Sequence, residues 1–166
     1  MNTRQAKLIS ELERQFELMN ETSNVGSTLI DIASIRRDLD ESAQIRREFE
    51  LHNTILLDEL RSNFVSKLKQ VKMELESIGI LSELRCDDYP NLHIGLKDYH
   101  GSLLRTDYSF YISYYINEKY IELSDGGHVK KIIGLNIHIT HGEYFDSVDE
   151  LVKTEKFINL IKRAAR

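Results

Sequence analysis

Two histidines in matching local settings offer the most definite chemistry in this 166-residue chain. His93 stands in Leu92-His93-Ile94-Gly95-Leu96 and His138 in Ile137-His138-Ile139-Thr140, each flanked by apolar residues at alternate positions. An alternation of period two places both imidazoles on the polar faces of strands. Imidazole titrates near neutrality, so two histidines can supply one neutral and one protonated ring. Asp87, Asp88, Asp98, His100 and His141 lie in the same half of the chain, but their spacing follows no ligand pattern, so neither a metal nor a cofactor is expected. The one cysteine, Cys86, excludes an internal disulfide and a cysteine zinc cluster, and suits a reducing, cytoplasmic setting. No glycine-rich phosphate loop, nucleophile elbow or paired-cysteine motif is present.

The two histidine segments resemble the paired His-x-Thr/Ser strands of the two-histidine phosphoesterases. That resemblance implies an imidazole base and an imidazole acid at a phosphodiester, His93 and His138, with hydroxyl residues, here Thr140, holding the phosphate. It extends over two short strands, and Gly95 stands where the first motif would have its hydroxyl residue.

A second candidate surface lies on the same strands. Tyr108, Phe110, Ile112, Tyr114 and Ile116 alternate with Ser109, Tyr111, Ser113, Tyr115 and Asn117. Tyr111 and Tyr115 therefore share the wetter face with small polar residues, where aromatic rings can anchor a protein partner.

These residues need a sheet to hold them, and the chain divides near residue 86 into a helical half and a sheet half. All eight tyrosines, the single proline and six of the eight glycines lie between residues 89 and 145. Strands are expected at Asn91 to Leu96, along the tyrosine alternation, at Tyr120 to Leu123 and over Ile133 to Ile139. Turns are expected at Tyr99 to Ser102, at Asn117-Glu118-Lys119 and at Ser124-Asp125-Gly126-Gly127. Connections this short give an antiparallel meander of four or five strands. A final helix is expected from the capping box Ser147…Glu150, with Leu151, Phe157, Leu160 and Ile161 turned to the sheet.

The first 85 residues read as a helical hairpin or coiled-coil arm, with helices at about 3–19 and 28–78. Ile9, Leu12, Phe16 and Met19 give the first helix its apolar face, residues 20–26 form a turn, and Ser27 or Thr28 caps the second helix. The second helix carries Ile32, Ile35, Leu39, Ser42, Ile45, Phe49, His52, Leu56, Leu60, Phe64, Leu68, Val71, Leu75 and Ile78 at a mean step of about 3.5, the period of a left-handed coiled coil. A break is expected at Asp38 to Ser42, and a helix end at Gly79. Such a seam calls for a partner, so Phe49, Leu56, Leu60, Phe64, Leu68 and Val71 are the candidate association residues.

A net charge of −5 gives no global attraction to nucleic acid or to an anionic membrane. Of the arginine pairs Arg36-Arg37 and Arg46-Arg47, Arg37 falls four residues before Glu41 and Arg46 four before Glu50, the pattern of a solvated, salt-bridged face. No apolar run approaches the roughly 18 to 20 residues that span a bilayer. The expectation is an α+β homodimer that binds a second protein and is not an enzyme, as an adaptor, inhibitor, immunity protein or assembly subunit would. A small phosphodiesterase built on His93 and His138 is the alternative.

Overall fold

In the computed structural model the described residues are 13, 14, 29–95, 109–140 and 142–165. They form an α+β fold: one long helix, a five-stranded antiparallel sheet and two short C-terminal helices. Of the expected first helix, Glu13 and Arg14 are helical, and the rest lies outside the described residues. So do the turns at 20–26 and at Tyr99 to Ser102, the caps Ser27 and Thr28, and the residues Leu96, Asp98, His100, Tyr108 and His141.

Helix α1 runs from Ile32 to Ser77 without interruption, 46 residues or about 69 Å. Its N-cap is Asp31, whose side chain accepts from the Ser34 N–H at 2.9 Å, so the helix starts four residues later than the sequence suggests. The polar run Asp38 to Ser42 does not break it. Ser42 is fully buried there against the tip of a β-hairpin, which gives its polar side chain a use inside the fold. At the other end the Ile80 N–H donates to the Leu75 carbonyl at 2.9 Å and the Gly79 N–H to that of Glu76 at 3.0 Å. This is a Schellman end, and it needs the positive φ of +80° that Gly79 adopts.

Strands β1 (Ser82–Arg85), β2 (Asn91–Ile94), β3 (Phe110–Glu122), β4 (His128–Ile139) and β5 (Tyr144–Phe145) follow in chain order, each paired with the next. The sheet thus begins at Ser82, inside the segment read as helical arm. Asn117 to Lys119 is not a turn but part of β3. Glu118 lies opposite Ile132 and Asn117 opposite Gly134, which leaves Ile133 as the extra residue of a bulge in β4. The hairpin joining β3 to β4 closes at Leu123 to Gly127, with the Leu123 N–H donating to the Gly127 carbonyl at 2.9 Å. Gly95 ends β2 with a φ of +142°, and a Cβ there would lie 2.8 Å from that of Ser109.

The C-terminal helix is two helices, α2 (Val148–Leu151) and α3 (Glu155–Ala164). Thr154 separates them: its hydroxyl donates to the Leu151 carbonyl at 2.7 Å and accepts from the Phe157 N–H at 3.2 Å, closing one helix and capping the next. The expected capping serine is in place, Ser147 accepting from the Glu150 N–H at 3.2 Å.

All three helices cover one face of the sheet. Phe64, Leu68, Val71 and Leu75 of α1 pack with Leu92, Ile94, Ile112, Leu135, Ile137 and Ile139, and α2 and α3 add Val148, Leu151, Phe157 and Ala164. Tyr114 is buried edge-on against Phe64, ring centroids 5.0 Å apart, and its hydroxyl accepts from Arg61 Nε at 2.8 Å, so its polar atom keeps a partner. Among the described residues no helix is long and apolar enough to cross a membrane.

Candidate functional site

The face of the sheet turned away from the helices gathers the residues singled out for chemistry. Register does this. His93 of β2 lies opposite Tyr111 of β3, and His138 of β4 lies between Ser113 of β3 and Tyr144 of β5. An alternation of period two then brings all these side chains to one face. The rings form a continuous cluster. His93 and Tyr111 have centroids 5.6 Å apart, and Tyr111 meets His138 edge-on at 6.0 Å. Tyr115 stacks on His138 at 4.8 Å with planes 16° apart, and Tyr144 closes the far side at 5.8 Å from His138 and 5.9 Å from Tyr115.

Tyr111 stands between the two imidazoles. β2 and β4 are separated by β3, about 10 Å of sheet, so the histidines flank a tyrosine ring instead of facing each other across a gap. His138 is only 4% exposed, beneath Tyr115 and Tyr144, which are 54% and 59% exposed. Thr140 ends β4 with a positive φ of 32°, and its Oγ1 accepts from the Tyr111 N–H at 3.1 Å, engaged with the backbone of β3. Among the described residues no three His, Cys, Asp or Glu side chains form a metal-binding group. Tyr144 belongs to the cluster without any signal in the sequence, because a two-residue strand is too short to show a period and only the register of β4 with β5 places it.

The arm residues separate into two sets. Phe64, Leu68 and Val71 are buried in the core against the sheet, and Leu60 packs half-buried beside them. Phe49 and Leu56 are half-buried on a flank of α1, outside that core. The reason is the length of the β3–β4 hairpin, 13 and 12 residues, about 40 Å of strand running alongside the helix as far as Ser42. Strands of that length absorb most of the seam inside the chain.

A clamp fixes the hairpin tip to α1. The Ser42 hydroxyl accepts from the Asp125 N–H at 3.2 Å, and Arg46 Nη2 donates to Asp125 Oδ2 at 2.6 Å. Arg46 thus pairs with the hairpin instead of with Glu50. The Arg46 guanidinium first, then the Gly127 N–H on the carboxylate, hold Asp125 below its ordinary value of 3.8. Across the hairpin, Glu118 of β3 raises the Lys130 ammonium of β4 above its ordinary 10.5 by hydrogen bond and charge.

Beyond the clamp no strand among the described residues lies beneath the helix. Ile32, Ile35 and Leu39 continue the helical face that Phe64, Leu68 and Leu75 use, but here they are 62%, 48% and 52% exposed. Leu29 and Ile30, just before the helix, are exposed as well. No protein-family model matches the chain, and neither a curated protein nor a solved structure matches it in comparison.

Proposed function

We propose that this protein is a non-enzymatic protein-interaction module that self-associates through the first turns of α1. The observation that carries this is the run of five exposed large apolar residues, Leu29, Ile30, Ile32, Ile35 and Leu39, where the apolar face of α1 outruns the hairpin. Isolated exposed apolar residues are ordinary, but a contiguous group continuing a core stripe marks a surface with a partner. A second copy is the partner of the proposal, because the heptad-like spacing at Ile32, Ile35 and Leu39 is the pattern by which one helix receives another of its kind. Of the residues expected to associate, Phe49 and Leu56 retain free surface, whereas Phe64, Leu68 and Val71 hold the fold together. The aromatic face of Tyr111, Tyr115 and Tyr144 is the second contact surface, for another protein. The test is the solution mass by light scattering of the wild type and of Leu39→Glu. A wild-type mass above one chain that falls to one chain in a folded Leu39→Glu supports the proposal; equal masses refute it.

A second reading, phosphodiester hydrolysis by His93 and His138 with Thr140, keeps one supporting observation: the two imidazoles share a face and a common neighbour in Tyr111. Cleavage of cyclic or linear oligonucleotides that is lost in both His93→Ala and His138→Ala would establish it in place of the first.

A further inference from the structure

The sheet has a second opening, on its helical side. Among the described residues strand β4 is its edge for most of its length, because β5 pairs there only with Ile137 and His138. Near the hairpin tip the edge is covered by Asn53 of α1. Its carboxamide behaves as a short piece of neighbouring strand, Nδ2 donating to the Lys130 carbonyl at 2.7 Å and Oδ1 accepting from the Ile132 N–H at 3.0 Å. Between Ile132 and Ile137 lie about 17 Å of β4 covered by neither.

The phase of the ladder says which backbone groups face that gap. The Thr140 N–H donates to the Tyr111 carbonyl at 3.0 Å, so Thr140 and every second residue before it, to Gly134, turn toward β3. Leu135 then points its N–H and carbonyl outward. Beneath it, between α1 and α2, is a cavity of about 220 Å³ with an apolar floor of Leu60, Phe64, Leu135, Ile137 and Val148. Pockets for drug-sized ligands run from about 300 to 1,000 Å³, so this one suits a single apolar side chain. Its rim holds Lys67, Asp149 and Asp146. Lys67 is bound to Asp149 at 2.9 Å, while Asp146 has no ion pair among the described residues, which leaves the rim net negative.

We infer that this gap binds an extended segment of a partner protein as an added strand on β4. Leu135 exchanges backbone hydrogen bonds with it, one leucine- or phenylalanine-sized side chain enters the cavity, and a lysine or arginine two residues away, on the same strand face, reaches Asp146. Free backbone groups supply the affinity for a chain, the pocket selects one apolar residue, and the rim charge selects its neighbours. The inference stands apart from self-association, since its residues are not those of the first turns of α1.

The experiment is a titration, followed by NMR of the labelled full chain, with a blocked pentapeptide of lysine, threonine, leucine, threonine and lysine. Wild type and Leu39→Glu are both titrated, so that a failure of self-association is seen separately. The expected result is a saturable shift at the Ile133 and Leu135 amides and the Leu60 and Val148 methyls in both proteins. Serine in place of the central leucine should weaken binding about tenfold or more, the scale of burying one such side chain. Glutamates in place of the lysines should weaken it about threefold, as should Asp146→Asn with the original peptide. Asn63→Trp, an exposed rim position whose new ring plugs the cavity, should abolish it. No saturable shift at millimolar peptide, equal binding of the serine peptide, or binding retained by a folded Asn63→Trp would overturn the inference. If that variant does not fold, the serine peptide and Asp146→Asn decide it.

Discussion

The two ends of α1 carry the same kind of apolar stripe and meet different surroundings. Near the C-terminal end, Phe64, Leu68, Val71 and Leu75 are buried against the sheet; at the N-terminal end, Ile32, Ile35 and Leu39 are about half exposed or more. Helix propensity and periodicity are alike in both segments, so what separates them is where the β3–β4 hairpin stops. The clamp of Ser42, Arg46 and Asp125 marks that boundary. An apolar stripe alone therefore does not distinguish a buried face from an exposed one; the length of the element that meets it does.

Substitutions at the two ends separate those roles. The largest expected effect is at the buried end: Leu68→Ala should lower the unfolding free energy by about 2 to 5 kcal/mol, read by denaturant unfolding, because Leu68 is fully enclosed and its removal leaves a cavity. At the other end Leu39→Ala should change stability by only about 0.5 kcal/mol at a concentration where the chain is monomeric, since little surface is lost from the interior. Equal effects at the two positions would remove the distinction.

Between them in size lies Asn53→Ala, which strips the Lys130 carbonyl and the Ile132 N–H of their partner and should cost about 0.5 to 1.5 kcal/mol. It should also raise hydrogen exchange at Ile132 above that at Leu123, whose N–H keeps the Gly127 carbonyl. Unchanged exchange at Ile132 would mean that Asn53 does not cover the edge.

The smallest effect belongs to the clamp. The folded chain holds the Asp125 carboxyl below its ordinary value of 3.8, so this group adds stability above that pH, and the contribution is lost as pH falls through the lowered value. Asp125→Asn should therefore be slightly less stable than wild type at neutral pH and converge on it in the acid range below about pH 4. A constant difference across that range would contradict the assignment.

Much of this architecture is legible in the sequence where one local rule acts alone. Gly79 ends α1 because a left-handed residue is needed there, Ser124 to Gly127 close the hairpin, and the alternation about Tyr111 and His138 gives the faces of β3 and β4 correctly. What is not legible depends on pairing. Ser82-Glu83-Leu84-Arg85 has too little apolar content to read as a strand, yet it pairs with β2 through all four residues. Asn117-Glu118-Lys119 has the composition of a turn and is carried through as strand opposite a bulge. The adjacency of His138 and Tyr144, and the reach of Asn53 to β4, come from register and from helix placement, which no local period encodes. The even spacing of the α1 stripe also hides its division, because residues on one helical face look alike whether sheet or solvent lies in front of them.

Hydrogen exchange along α1, measured at low and at high protein concentration, tests the division most directly. The account predicts that amides of residues 32–39 exchange rapidly in dilute solution and gain protection as concentration rises, while those of residues 64–75 stay strongly protected throughout. Protection in residues 32–39 that does not depend on concentration would contradict self-association through this end of the helix.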